Sequence, residues 1–175
     1  EEIIRSYRYA MPLDEVKEVI NMPKYHATKA ADVDPDKVTI GQDAISQLKD
    51  FIVCISDTYN QNPFHNFEHA SHVTLSVVKL LKRIVAPTEK DDNERDHHDH
   101  TYGITSDPLT QFAVVLSALI HDVDHSGVPN TQLINEGSRL AALYKGKSVA
   151  EQNSVAMAWN LLMEDKYEAL RMTIY

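Results

Sequence analysis

Apolar residues recur at steps of three and four along most of this chain, and no stretch reads as a clear sheet strand. Leu13, Val16, Val19 and Ile20 predict a short first helix. Between Gly41 and Asn60, the positions Ile45, Leu48, Ile52, Ile55 and Tyr59 form one seam and predict a longer one. The next is expected from about Phe67 to Val85, with Ala70, Val73, Val77, Leu80, Leu81 and Ile84 on one face and Pro87 ending it. Ser106-Asp107-Pro108 reads as a helix start, because proline suits a first turn, whose amides have no partner within the helix. From Leu109 to Ile120 the residues are apolar on nearly every side, which predicts a helix buried at the middle of the domain. Gly127 and Pro129 break the chain after it. Two shorter helices are expected next, and Ser148 opens another whose Val155, Trp159 and Leu162 are expected to face inward. Tyr167, Leu170 and Ile174 carry the helical pattern to the last residue without a capping signal, so the chain is expected to be part of a larger domain.

The segment from Glu89 to Tyr102 breaks the pattern, and its polar composition predicts a mobile acidic surface loop. Its histidines, His97, His98 and His100, have no apolar neighbours to hold their geometry and are set aside as ligands.

With 175 residues, 43% of them apolar, only five glycines and seven prolines, the chain describes one globular, helix-rich domain. The formal charge of -9 repels phosphate backbones, so nucleic acid is not an expected partner. A small phosphorylated substrate stays open, because bound cations reverse the local sign. The single cysteine, Cys54, cannot form an internal disulfide and reads as a buried filler. No apolar run is long enough to span a bilayer, and Glu1-Glu2-Ile3-Ile4-Arg5 does not resemble a signal peptide. A cytoplasmic setting is expected, either free or as the cytosolic domain of a larger membrane-associated protein.

Chemistry concentrates where the apolar run ends. His121 and Asp122 stand at the expected C-terminus of the most apolar helix, where backbone carbonyls already carry partial negative charge. A carboxylate there is unfavourable unless something cationic joins it. A divalent ion would neutralise both; an arginine partner, or a cap on the next turn, is the bland alternative. Asp124 and His125 crowd the same turn, which weighs toward a metal. Upstream, His65 and His69 stand four apart and share one face if a helix has begun by His65, the turn starting at Asn62-Pro63. His72, three residues further on, is expected at the edge of the apolar face in a packing or hydrogen-bonding role.

These motifs carry a resemblance. Phe64-His65-Asn66-Phe67-Glu68-His69-Ala70, followed by His121-Asp122-Val123-Asp124-His125-Ser126-Gly127-Val128-Pro129-Asn130, resembles the class I 3′,5′-cyclic-nucleotide phosphodiesterases. Leu133-Ile134-Asn135, Leu140-Ala141 with Tyr144, and Ser148-Val149-Ala150-Glu151 match the same family in order and approximate spacing. Residues 1–60 then form a helical lead-in and residues 61–175 carry the motifs, the whole being the N-terminal part of a catalytic domain. The resemblance implies an all-α, multi-helix bundle of the metal-dependent HD phosphohydrolase type. It implies hydrolysis of cAMP, cGMP or both to the 5′-monophosphate, a step in signal transduction.

By the same resemblance, His69, His121 and Asp122 ligate zinc, and Asp122 bridges to a second ion, magnesium or manganese. Such a pair acidifies water and clamps the phosphate. His65 is implied as the general acid for the departing 3′ oxygen, a task suited to a histidine near neutral pH. Glu151 has two readings: a partner of the second ion through water, or simply the glutamate of a capping box begun by Ser148. His125 and Asn130 are expected to support the ions or the substrate.

Phe64 stands where a tyrosine is usual, Ser126 where a proline is common, and Asn153-Ser154 where many members have histidines. The family's last aspartate ligand, its purine-gripping glutamine and its aromatic clamp fall beyond residue 175. This stretch alone is therefore expected to hold metal poorly and turn over little. Another HD-type nucleotide phosphohydrolase, or a non-catalytic regulatory or dimerising remnant, are the alternatives, and the partner is either a second copy or the missing C-terminal half. No residue in the chain selects adenine over guanine.

Overall fold

A computed structural model describes residues 39–85, 101, 103–105 and 107–174. The helix expected at Leu13–Ile20 lies outside them, as do His97, His98 and His100 and all of the 89–102 loop except Thr101. The described residues are helical throughout their regular elements: α1 (Gln42–Asp57), α2 (Phe67–Ile84), α3 (Pro108–Ile120), α4 (Asn130–Asn135), α5 (Arg139–Leu143), α6 (Val149–Leu162), a 3₁₀ turn (Asp165–Tyr167) and α7 (Glu168–Ile174).

Local chemistry explains where the helices begin. The Asn66 side chain accepts the His69 amide hydrogen at 2.9 Å and caps α2. Asp107 does the same for α3, accepting from the Leu109 amide at 3.0 Å ahead of Pro108. Because α2 begins at Phe67, His65 precedes the helix instead of sitting in its first turn as the spacing predicts. At α6 the expected Ser148 capping box does not form: Ser148 is left-handed, with φ of 37°, and makes no capping bond. Asn130 replaces it from the start of α4, its Oδ1 accepting the Ala150 amide hydrogen at 2.9 Å.

The main core gathers Phe51, Ile55 and Tyr59 of α1 and its exit, Ile120 and Val123 at the end of α3, Met157, Leu161 and Leu162 of α6, and Tyr167 and Leu170. Phe51 and Tyr167 meet edge to face at 5.5 Å, and burying each such ring contributes on the order of 2–3 kcal/mol. Tyr167 donates to Asp50 at 2.8 Å, and Gln47 accepts the Leu170 amide hydrogen at 2.8 Å, tying α7 to α1. Arg171 donates to the carbonyls of Leu162 and Glu164, closing the C-terminal end of α6. Cys54 is half-buried against this core, with Lys166 Nζ 3.7 Å from its sulfur. A second cluster joins Leu133, Ala141, Tyr144 and Val149.

Two expectations about burial are corrected. Helix α3 is not the buried centre: only Ala118 and Ile120 are buried, and Leu109 is exposed. Helix α6 has that place, with eight buried residues along its 14. Its Leu162 faces inward, but Val155 and Trp159 lie on the exposed side. His72 is exposed beside Val73, Ser76 and Val77 on the open face of α2. No helix among the described residues is long and apolar enough to cross a membrane.

Candidate metal centre

Three segments converge to build the site: the loop from Thr58 to Asn66, the first turn of α2, and the turn from His121 to Gly127. His69 comes from α2, one turn in from its cap. His121 caps the C-terminal end of α3, and Asp122 follows it, only 8% exposed. The ligand atoms of His69, His121 and Asp122 all lie within 4.8 Å of one another.

Hydrogen bonding decides what this trio lacks. His121 Nδ1 is 2.9 Å from the Ala118 carbonyl. A carbonyl only accepts, so the ring proton sits on Nδ1 and the Nε2 lone pair is left exposed. That Nε2 stands 3.0 Å from Asp122 Oδ2, with His69 Nε2 3.9 Å from the same oxygen. A lone pair facing a buried carboxylate repels it unless a cation or a proton lies between them. Among the described residues the groups that face the Asp122 carboxylate are His69 and His121, and neither lysine nor arginine pairs with it. Two imidazole nitrogens and a carboxylate oxygen are a donor set that suits zinc.

His65, Asp122 and His125 form a second group within 4.8 Å. Its geometry differs. The rings of His65 and His125 are stacked, with centroids 3.9 Å apart and planes 19° from parallel. Lone pairs lie in the ring planes, so stacked imidazoles point theirs side by side and do not converge on one ion. The Gly127 amide donates to His125 Nδ1 at 3.0 Å, placing the proton of the neutral ring on Nε2. Burial, and then the neighbouring His65 charge, push the His125 imidazole down from its ordinary value. Phe64, 60% exposed, covers the outer side, its ring 5.0 Å from that of His65 and 4.3 Å from that of His69.

Polar side chains outside the ligand trio hold the turn in place, among them Asn60, which the sequence did not single out. Asn60 donates to Asp124 Oδ1 and to the His125 carbonyl, at 3.2 and 3.1 Å. Asn153, buried on α6, donates to Asp124 Oδ2 at 3.2 Å, and Ser154 donates to the Val123 carbonyl at 2.7 Å. Both thus support the turn from below. Tyr59 donates to the Leu119 carbonyl at 2.7 Å, and burial pushes its hydroxyl well above the usual range. Asn130 Nδ2 donates to Glu151 Oε2 at 2.9 Å, so the pair bridges α4 and α6. The density of asparagines at 60, 62 and 66 was the available signal, but nothing in a sequence says what an amide will bond.

Comparison with known proteins decides the family. Residues 64–173 match the model of the 3′5′-cyclic nucleotide phosphodiesterases, a stretch that includes His65, His69, His121, Asp122 and His125. The chain belongs to that family. It is 33% identical over 110 residues to a mouse high-affinity cAMP-specific 3′,5′-cyclic phosphodiesterase, covering 63% of this chain and 11% of that protein. It is 27% identical over 117 residues to a cGMP-specific phosphodiesterase of Dictyostelium discoideum, covering 67% of this chain and 22% of that protein. The phosphodiesterase domain of a rhodopsin fusion protein from the choanoflagellate Salpingoeca rosetta superposes with a TM-score of 0.55 at 30% identity, covering 75% of this chain and 35% of that one. The chain therefore spans about a third of the solved domain and less of the whole relatives. Membership implies dependence on divalent metal, in accord with the donor set at His69, His121 and Asp122.

Proposed function

We propose that this chain is the N-terminal part of a catalytic domain that hydrolyses a 3′,5′-cyclic nucleotide, cAMP or cGMP, to the 5′-monophosphate. The observation that carries the proposal is the His121 Nε2 lone pair turned on the buried Asp122 carboxylate at 3.0 Å, an arrangement suited to holding a cation. His69, His121 and Asp122 would hold zinc, and Asp122 would also serve a second, oxygen-preferring ion, magnesium or manganese. Glu151, paired to Asn130, would support that second ion through water. Bound divalent cations offset the charge on the phosphoryl oxygens and acidify water at neutral pH.

The chain's own residues supply the rest. Water adds to phosphorus, the bond from phosphorus to the 3′ oxygen breaks, and His65 delivers the proton that oxygen needs. His65 is suited to this because its ring is oriented by stacking on His125 and is not spent on a metal. Phe64 shields the outer side of both His65 and His69 from water.

Exposed apolar side chains support the reading that more of the domain, or a second copy, packs on this part. Leu75, Leu80 and Ile84 on α2 and Val155, Trp159 and Met163 near the outer side of α6 are all exposed. Relatives of both purine specificities match, so the proposal names the cyclic phosphodiester and not the base. The rhodopsin-fused relative supports a place within a larger protein.

The test uses the full-length protein supplied with zinc and magnesium and a panel of cyclic and linear nucleotides. Opening of a 3′,5′-cyclic nucleotide to the 5′-monophosphate is expected. His65→Asn should lower turnover by about 10²–10⁴-fold while zinc content stays that of the parent. Phosphate release from linear nucleotides alone would overturn the substrate assignment, and zinc loss from His65→Asn would overturn the role of His65.

A further inference from the structure

His65 makes no side-chain hydrogen bond among the described residues, so its orientation rests on ring contacts, the edge of Phe64 on one side and, in closer contact, the stacked His125. What sets that stack is one amide. Asn62 Nδ2 donates to the His125 carbonyl at 2.6 Å and to the His65 carbonyl at 3.3 Å. An asparagine amide has two hydrogens, and here each goes to the backbone of one of the two stacked histidines. The separation of the two imidazoles is thereby fixed from a single point. Asn62 is itself held, because its carbonyl accepts from Asn66 Nδ2 at 2.8 Å and Asn66 caps α2 ahead of His69.

Gly127 completes the arrangement. A Cβ at that position would lie 2.6 Å from Asn62 Oδ1, so only glycine lets the amide reach the turn. Its φ of +83° also lies where side chains are disfavoured. From the same position its amide donates to His125 Nδ1 and holds the plane of that ring. Gly127 thus contributes twice, by admitting Asn62 and by orienting His125.

We propose that Asn62 and Gly127 are positioning residues for His65, acting as a clasp that ties the loop before α2 to the turn after α3 and so aligns the His65 imidazole. This rests on the assignment of His65 as proton donor, but the clasp has a geometric consequence that needs no turnover. Stacked rings shift each other's carbon-bound proton resonances upfield, so histidine-labelled full-length protein reports the His65–His125 stack directly by NMR.

Four variants are compared in the full-length protein: Asn62→Ala, Asn62→Asp, which keeps the shape and loses both donor hydrogens, Gly127→Ala, and the double variant Asn62→Ala/Gly127→Ala. Loss of the upfield shift of His65 is expected in all four. With cyclic nucleotide as substrate, kcat should fall about tenfold or more with KM within about twofold, as befits misalignment of a reacting group and not weaker binding. The double variant should lose less than the product of the two single losses, because both break one contact. Zinc content should stay at the parent level throughout. If Asn62→Ala does not fold, Asn62→Asp decides by the same readouts.

An intact His65 shift with unchanged kcat in Asn62→Asp would overturn the clasp, as would a rise in KM alone or loss of zinc together with activity. Were the parent inactive on every cyclic nucleotide while the shift vanished as expected, the substrate assignment would fall and the clasp would stand.

Discussion

Helices α3 and α6 exchange the places that their composition suggests. Helix α3 is apolar on nearly every side, yet most of it is only partly covered and Leu109 is 44% exposed. Helix α6 carries Asn153, Ser154 and three alanines among its 14 residues, yet it lies across the centre. Size and hydrogen bonding explain the reversal. Alanines and serine let neighbouring elements approach α6 closely, and its two buried polar side chains are satisfied by Asp124 and the Val123 carbonyl. Large apolar side chains on α3 need a second surface to cover them, and α2 and α6 cover only part. Hydrophobicity states what a helix would gain by burial; it does not state whether a partner is present.

The two helices also serve the site differently. Helix α3 ends in it, delivering His121 and Asp122 where its carbonyls point. Helix α6 underlies it, with Asn153 and Ser154 bracing the turn that follows. The largest effect should therefore come from the end of α3. Asp122→Asn is expected to lower turnover of cyclic nucleotide by about 10²–10³-fold and to abolish stoichiometric zinc, read by metal analysis. In metal-free protein the same change should leave thermal stability equal or higher, since it relieves the facing of carboxylate and lone pair; a clear drop would mean that Asp122 has a structural partner instead. Next comes the interior of α6. Ala158 is 3% exposed within the main core, so Ala158→Leu should destabilise by about 1–3 kcal/mol in denaturant titration. A neutral result would put α6 at the edge. The smallest effect is expected on the open side of α3, where Leu109→Ser should change stability by no more than about 0.5 kcal/mol. A larger loss would show that α3 is covered after all, by further polypeptide or a second copy.

Helix positions were legible because each rests on neighbours in sequence. The period of three and four marks α1 and α2, and Asp107-Pro108 marks the start of α3, through bonds spanning a few residues. The proposed ligand trio was picked out by residue type and by family resemblance, and the structure brings His69, His121 and Asp122 together. The helix start at His65 and the Ser148–Glu151 capping box were misread for the same reason. The start of α2 depends on which asparagine caps it, and the cap of α6 comes from Asn130, 20 residues away.

By itself, then, the amino-acid order determined an all-helical fold class, the ends of its main helices and the donor types at the candidate metal centre, because these follow from backbone periodicity and from chemistry carried by single residues. Which helix lies buried, how His65 comes to face His125, and the amide that spans both were decided only by tertiary structure. Those features depend on distances between segments some 60 residues apart, and a hydrogen bond such as that from Asn62 to His125 leaves no mark on either sequence neighbourhood.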